Sequence, residues 1–143
     1  MRTIATDGVA DGDWNGVGDV VSDLDRDGIL EAARDYIESW LEGDPDRMGR
    51  CLHPDLAKRS VEIDAETEEP VVDTMSREEM VTATAAGYGR RYEKPYELSI
   101  LNVFQDIATV RIFSSAYMDY LHVARFGDRW LLLNVLWQRR PGR

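Results

Sequence analysis

The sequence has a single cysteine, Cys51, so no internal disulfide can form, and no Cys/His cluster has the spacing of a zinc site. No apolar run approaches membrane-spanning length, and the opening MRTIATDGVADGD lacks the hydrophobic stretch of a secretory signal. Positive charge is scarce: Lys and Arg number 17 against 27 Asp and Glu, a formal net charge of −10. Such a surface repels phosphate backbones and anionic bilayers, so neither nucleic acid nor membrane is an expected partner. No glycine-rich phosphate loop points to a nucleotide, and no cofactor or metal is expected. What is present is a chain of 143 residues, 43% hydrophobic, long enough to bury one core without staples. The expected compartment is the cytoplasm.

Residues 1–26 differ in composition from the rest. Asp7, Asp11, Asp13, Asp19, Asp23 and Asp25 alternate with Gly8, Gly12, Gly16 and Gly18, and large apolar side chains are few. The expectation is a flexible acidic arm, since little burial offsets the entropy of ordering it. The segments beginning Asp11-x-Asp13-x-Asn15-Gly16 and Asp23-x-Asp25-x-Asp27-Gly28 also match the opening of a calcium loop. The twelfth position, where a bidentate acid is required, holds Ser22 in one and Arg34 in the other, which disfavours calcium.

A folded domain is expected over residues 27–139, with a tail at 140–143. Ile29, Ala33, Tyr36, Ile37 and Trp40 recur at helical spacing, predicting a helix from about Gly28 to Glu42, capped by Asp27 and stopped by Gly43. Asp44-Pro45 restarts a short helix that ends near His53. Two short strands, Lys58–Ile63 and Val71–Met75, follow around an acidic turn. Ser76 and Glu79 form a capping box for a third helix to about Ala86. The period then becomes that of strands: Tyr96–Phe104, Ile107–Ser114, Tyr117–Phe126 and Arg129–Arg139, the last two joined at Gly127-Asp128. Helices first and a long meander last describe an α+β fold.

If Phe126 pairs with Arg129 and the register runs on unbroken, Asp119 opposes Leu136 and Leu121 opposes Asn134. One face then collects Tyr117, Asp119, Leu121, Val123, Trp130, Leu132, Asn134 and Leu136. A carboxylate and an amide in an apolar wall are what a ligand pocket presents; the alternative is that both serve backbone groups at strand ends. The other face collects Met118, Tyr120, His122, Ala124, Leu131, Leu133, Val135 and Trp137. The helices can cover one face only, so Leu131, Leu133, Val135 and Trp137 are the expected homodimer surface.

The order of these elements, together with Gly43-Asp44-Pro45-Asp46, Leu52-His53-Pro54-Asp55, the capped third helix and Tyr117-Met118-Asp119-Tyr120-Leu121…Arg129-Trp130-Leu131-Leu132-Leu133-Asn134, resembles the nuclear transport factor 2-like superfamily. Within it the chain is most similar to the bacterial putative lumazine-binding group, near the SnoaL-like polyketide cyclases. The resemblance implies a cone-shaped α+β barrel, a curved, mostly antiparallel sheet wrapped around three helices with a pocket at the open end. It also implies dimerisation through the outer sheet face. The superfamily includes ketosteroid isomerases, scytalone dehydratases, limonene epoxide hydrolases and members that only bind.

Asp119 is the candidate base, from the sheet-face argument and from the Asp119-Tyr120-Leu121 motif that the resemblance carries over. A carboxylate in an apolar cone is more basic than usual and suited to taking a proton beside a carbonyl. The alternative is a hydrogen-bonded structural acid. His53, at a position where the resemblance implies a pocket mouth, is a candidate proton shuttle or a cap for helix carbonyls. Tyr36 is a candidate oxyanion or proton partner. Trp40, Tyr117, Leu121, Trp130 and Asn134 are the candidate ligand contacts, although aromatics at helical spacing also build cores. His122 reads as structural, and Cys51 has no paired base to make it a nucleophile. The expected function is binding of a small apolar organic ligand, with cofactor-free isomerisation, dehydration or cyclisation as its catalytic form. The alternative is a non-catalytic dimeric scaffold working through the outer sheet face.

Overall fold

The computed structural model describes residues 3–6 and 21–142. It contains β1 (Thr3–Thr6), α1 (Asp23–Glu42), α2 (Pro45–Cys51), β2 (Leu52–Ile63), β3 (Pro70–Met75), α3 (Arg77–Ala85), β4 (Tyr96–Phe104), β5 (Ile107–Ser114), β6 (Tyr117–Phe126) and β7 (Arg129–Arg139). The strands form one mixed sheet in the order β1-β4-β5-β6-β7-β2-β3, with the β1–β4 and β2–β7 pairs parallel. The sheet curves around the helices, and the expected α+β cone is what the chain forms.

Local chemistry sets the helix ends. α1 starts earlier than the sequence suggests: Ser22, not Asp27, is the cap, its hydroxyl accepting the Asp25 amide at 3.0 Å. Asp23, Asp25 and Asp27 therefore lie in helix, and that segment is no calcium loop. The first of the two calcium-like segments lies outside the described residues, as does most of the expected arm. Gly43 ends α1 at φ 73°, and Asp44 caps α2 through the Arg47 amide. Ser76 and Glu79 form the expected capping box on α3. The β6–β7 turn has a positive φ at Gly127 alone, as a hairpin with glycine first requires.

Ile29, Ala33, Tyr36, Ile37 and Leu41 of α1 pack onto Leu98, Ile100, Val110, Ile112, Leu121, Val123 and Leu132 of the sheet. Arg47 ties α2 to α1 by ion pairs of 2.7 Å to Asp35 and to Glu38. Among the described residues no helix is long and apolar enough to cross a membrane.

The register of β6 on β7 departs from the expected one. From Phe126 to Val123 the pairing is as expected, but His122 pairs with Asn134 while Val123 pairs with Leu132, leaving Leu133 as an extra residue. This bulge exchanges the two faces of β7 beyond it. Asp119 therefore lies opposite Trp137 and Leu121 opposite Val135. The expected dimer set is broken: Val135 is buried in the core and Trp137 turns inward, while Asn134 and Leu136 turn out.

Candidate functional site

A cavity of about 340 Å³ opens between α1, α3 and the inner face of β2, β3, β6 and β7. Its size falls within the range of small-molecule sites. α1 contributes Tyr36 and Trp40, one turn apart on its buried side. β6 contributes Tyr117 and Asp119, two apart on one strand face, and β7 contributes Trp137. Met80 and Ala83 of α3 form an apolar wall, and Glu62, Asp73, Arg91 and Arg139 bring charge to the rim.

Asp119 is buried, and its Oδ2 accepts the Tyr36 hydroxyl proton at 2.8 Å. Burial raises the Asp119 carboxyl above the ordinary carboxylate range, opposed by the charge of Lys58 and by the Tyr36 bond. Burial and the Asp119 charge push the Tyr36 phenol well above its usual range. Tyr36 thus remains a proton donor, and its proton is committed to Asp119 rather than to a ligand oxyanion.

The sequence reading missed Lys58. Its Nζ stands over the rings of Tyr36, Trp40 and Trp137, at 5.3, 5.6 and 5.3 Å from their centroids. The three π faces favour an ammonium. Loss of water works the other way, and burial lowers the amine below its usual range against the attraction of Asp119. The signal was strand parity: Leu56, Lys58 and Ser60 alternate inward once β2 is followed back to Leu52. Trp137 was missed because of the bulge.

At the rim Tyr92, Tyr117 and Trp137 stack edge to face at 5.3 and 5.2 Å, and Arg139 lies over Tyr117 and Trp137. A hydrogen bond with Tyr117 lowers the Tyr92 phenol, helped by Arg139 and Arg91. Burial and then Tyr92 raise the Tyr117 phenol.

Of the residues singled out in the sequence, Tyr36, Trp40, Tyr117 and Asp119 meet at this cavity. His53 does not line it: its ring lies against Phe126 at 4.4 Å and its Nδ1 accepts the Asp55 amide. Trp130 packs against Gly28 near the start of α1, with Nε1 directed to Asp25 at 3.4 Å. Leu121 is wholly buried in the core, and Asn134 is exposed on the outer face beside His122. α2 ends at Cys51 and residues 52–55 already run as strand β2, which accounts for the misplacement of His53, and the bulge at Leu133 accounts for that of Asn134.

Cys51 is buried, and burial together with the Asp35 charge pushes its thiol up to about 12. The thiolate is the reactive form, so iodoacetamide is expected to label Cys51 roughly 100-fold more slowly in the native chain than in urea. Rapid native labelling, followed by mass, would contradict this burial.

The model of one family matches residues 24–138, nearly the whole folded region. The chain belongs to the family described as putative lumazine-binding. Solved structures agree on the fold. A nuclear transport factor 2-like protein of unknown function from Silicibacter pomeroyi DSS-3 is 14% identical, with a TM-score of 0.66 over 80% of this chain and 95% of its own. One from Shewanella baltica OS155 is 11% identical, with a TM-score of 0.65 over 87% and 100%. A ketosteroid isomerase-like protein from Erwinia carotovora atroseptica SCRI1043 is 14% identical, with a TM-score of 0.56 over 79% and 94%. No curated protein matches the sequence. Beyond membership of the putative lumazine-binding family, the structural relatives at these identities carry the fold alone.

Proposed function

We propose that this protein is a cytoplasmic domain that binds a small organic molecule, mostly apolar and carrying a carbonyl, in the cavity over Asp119. The family description and the ketosteroid isomerase-like relative are consistent with such a ligand. The observation that carries the reading is a buried carboxylate held by one tyrosine beside a buried amine, in a cavity otherwise walled by aromatic and apolar side chains. Aromatic walls bind a flat apolar body, and the two ionisable groups fix its polar end. In the catalytic form Asp119 takes a proton from carbon beside the carbonyl and returns it elsewhere. Lys58 replaces His53 and Tyr36 as the group that meets the ligand carbonyl.

Trp40 and Trp137 report on occupancy. Titration with aromatic ketones is expected to change tryptophan fluorescence in the native chain and not in Ala83→Phe, whose larger side chain fills the cavity from α3. Equal responses from both chains would place binding elsewhere.

The outer sheet face supports self-association, as a corrected version of the expected surface. Phe104, Ile107, Tyr120 and Leu136 are exposed there, the last at 55%. A second copy burying that face makes the protein a homodimer. Leu136→Asp is expected to halve the sedimenting mass; an unchanged mass would remove this face as the interface.

A further inference from the structure

The chain carries its positive charge almost entirely on arginine, with fifteen arginines against two lysines, Lys58 and Lys94. Lys94 lies on a surface loop and donates to the Leu41 carbonyl at 2.9 Å. Lys58 lies in the cavity among three aromatic rings and makes no ion pair within 4.0 Å among the described residues. A fixed cation stacked on aromatic faces is a role arginine fills at least as well. Lysine offers what arginine cannot: an amine that gives up its proton and attacks carbon.

We propose that Lys58 is a covalent site, whose amine condenses with an aldehyde or ketone carbonyl of the bound molecule to form an imine, with Asp119 moving the protons. The inference rests on the cavity being the ligand site and specifies how the carbonyl is held there. The Nζ lone pair forms the C–N bond as the C=O π pair moves to oxygen. Oxygen gains a proton and nitrogen loses one, giving a carbinolamine. The protonated Asp119 carboxyl then delivers its proton to the hydroxyl, water leaves as the C=N bond forms, and the carboxylate takes the remaining N–H proton. Amine plus carbonyl gives imine plus water, with no change of oxidation state, and hydrolysis reverses it. Burial supports both roles, lowering the amine so that its free-base form is accessible and raising the carboxyl so that it can hold a proton. With its imine protonated, the bound molecule loses an adjacent C–H proton to Asp119 more readily than the free carbonyl does.

The test uses the full chain at neutral pH with 4-methoxybenzaldehyde and sodium cyanoborohydride, which reduces an imine to a stable secondary amine, followed by peptide mapping by mass. Lys58 is expected to be labelled at least about tenfold faster than Lys94, the internal control, even though it is the more buried. The preference is expected to vanish in urea, to be lost in Lys58→Arg and to persist in Lys94→Arg. Binding of 4-methoxybenzyl alcohol, which cannot condense, is read in parallel by tryptophan fluorescence. If Lys58 is labelled no faster than Lys94 while the alcohol binds, the covalent role is overturned and the cavity reading stands. If neither occurs, both fail.

Discussion

Replacing Asp119 by alanine is expected to cost about 3 kcal/mol of stability relative to asparagine at the same position. Alanine strands the buried Tyr36 hydroxyl, at a cost of about 1–3 kcal/mol, and leaves a void beside it. The asparagine oxygen still accepts the Tyr36 proton. The pH dependence has a definite sign. The folded-state carboxyl is raised above its unfolded value. Its stabilising contribution is therefore complete below the unfolded pKa of about 3.9 and declines as pH rises towards the folded one. Asparagine does not titrate, so the stability of Asp119→Asn relative to the native chain should improve from about pH 4 and level off once the folded-state carboxyl has ionised. Urea denaturation of the three chains across this range measures both effects. Equal stability of the alanine and asparagine variants would mean that the Tyr36 bond contributes nothing, and a pH-independent difference would mean that Asp119 is not raised. Any turnover found for the native chain should be abolished by the asparagine substitution.

Gly89→Ala should be the most damaging small substitution near the cavity. A Cβ at Gly89 would overlap the Trp40 carbonyl oxygen and lie 2.7 Å from the indole Cδ1 and Nε1. A backbone oxygen cannot rotate away as a side-chain tip can, so either the end of α1 or the loop after α3 must shift. Such overpacking costs about 1–3 kcal/mol. Trp40 is also a cavity wall and one side of the Lys58 cage, so ligand binding should weaken by about tenfold with the loss of stability. Gly127→Ala is the control for glycine loss as such: nothing lies within 4 Å of its added Cβ, and only its positive φ is strained. If Gly89→Ala binds and melts like the native chain, the loop is not held against α1 as described.

Where neighbouring residues settle a feature, the sequence was legible. Ser76 and Glu79 announce the start of α3, Gly127 announces a hairpin, and period-two alternation delimits β4 to β7. The start of α1 was less so, because Ser22 and Asp27 are both competent caps and the helix uses the earlier. The bulge at Leu133 left no mark, since Leu131-Leu132-Leu133 and Val135-Leu136-Trp137 are apolar in either register. It is set by how a curved sheet closes, and it moved Trp137 into the cavity and Asn134 out of it. Asp119, Tyr36, Trp40 and Tyr117 could each be picked out singly. The bond between Tyr36 and Asp119, from elements 83 positions apart, could not. Lys58 escaped because its charge reads as exposure in a strand whose inward parity is fixed by Leu56 upstream.

Native mass spectrometry of the protein isolated gently from a cell extract tests most directly whether the cavity over Asp119 is a small-molecule site. The expected result is a stoichiometric organic ligand on the native chain that is missing from Ala83→Phe prepared in the same way. A ligand-free native chain that also fails to take up aromatic carbonyl compounds, or an identical ligand on both chains, would contradict it.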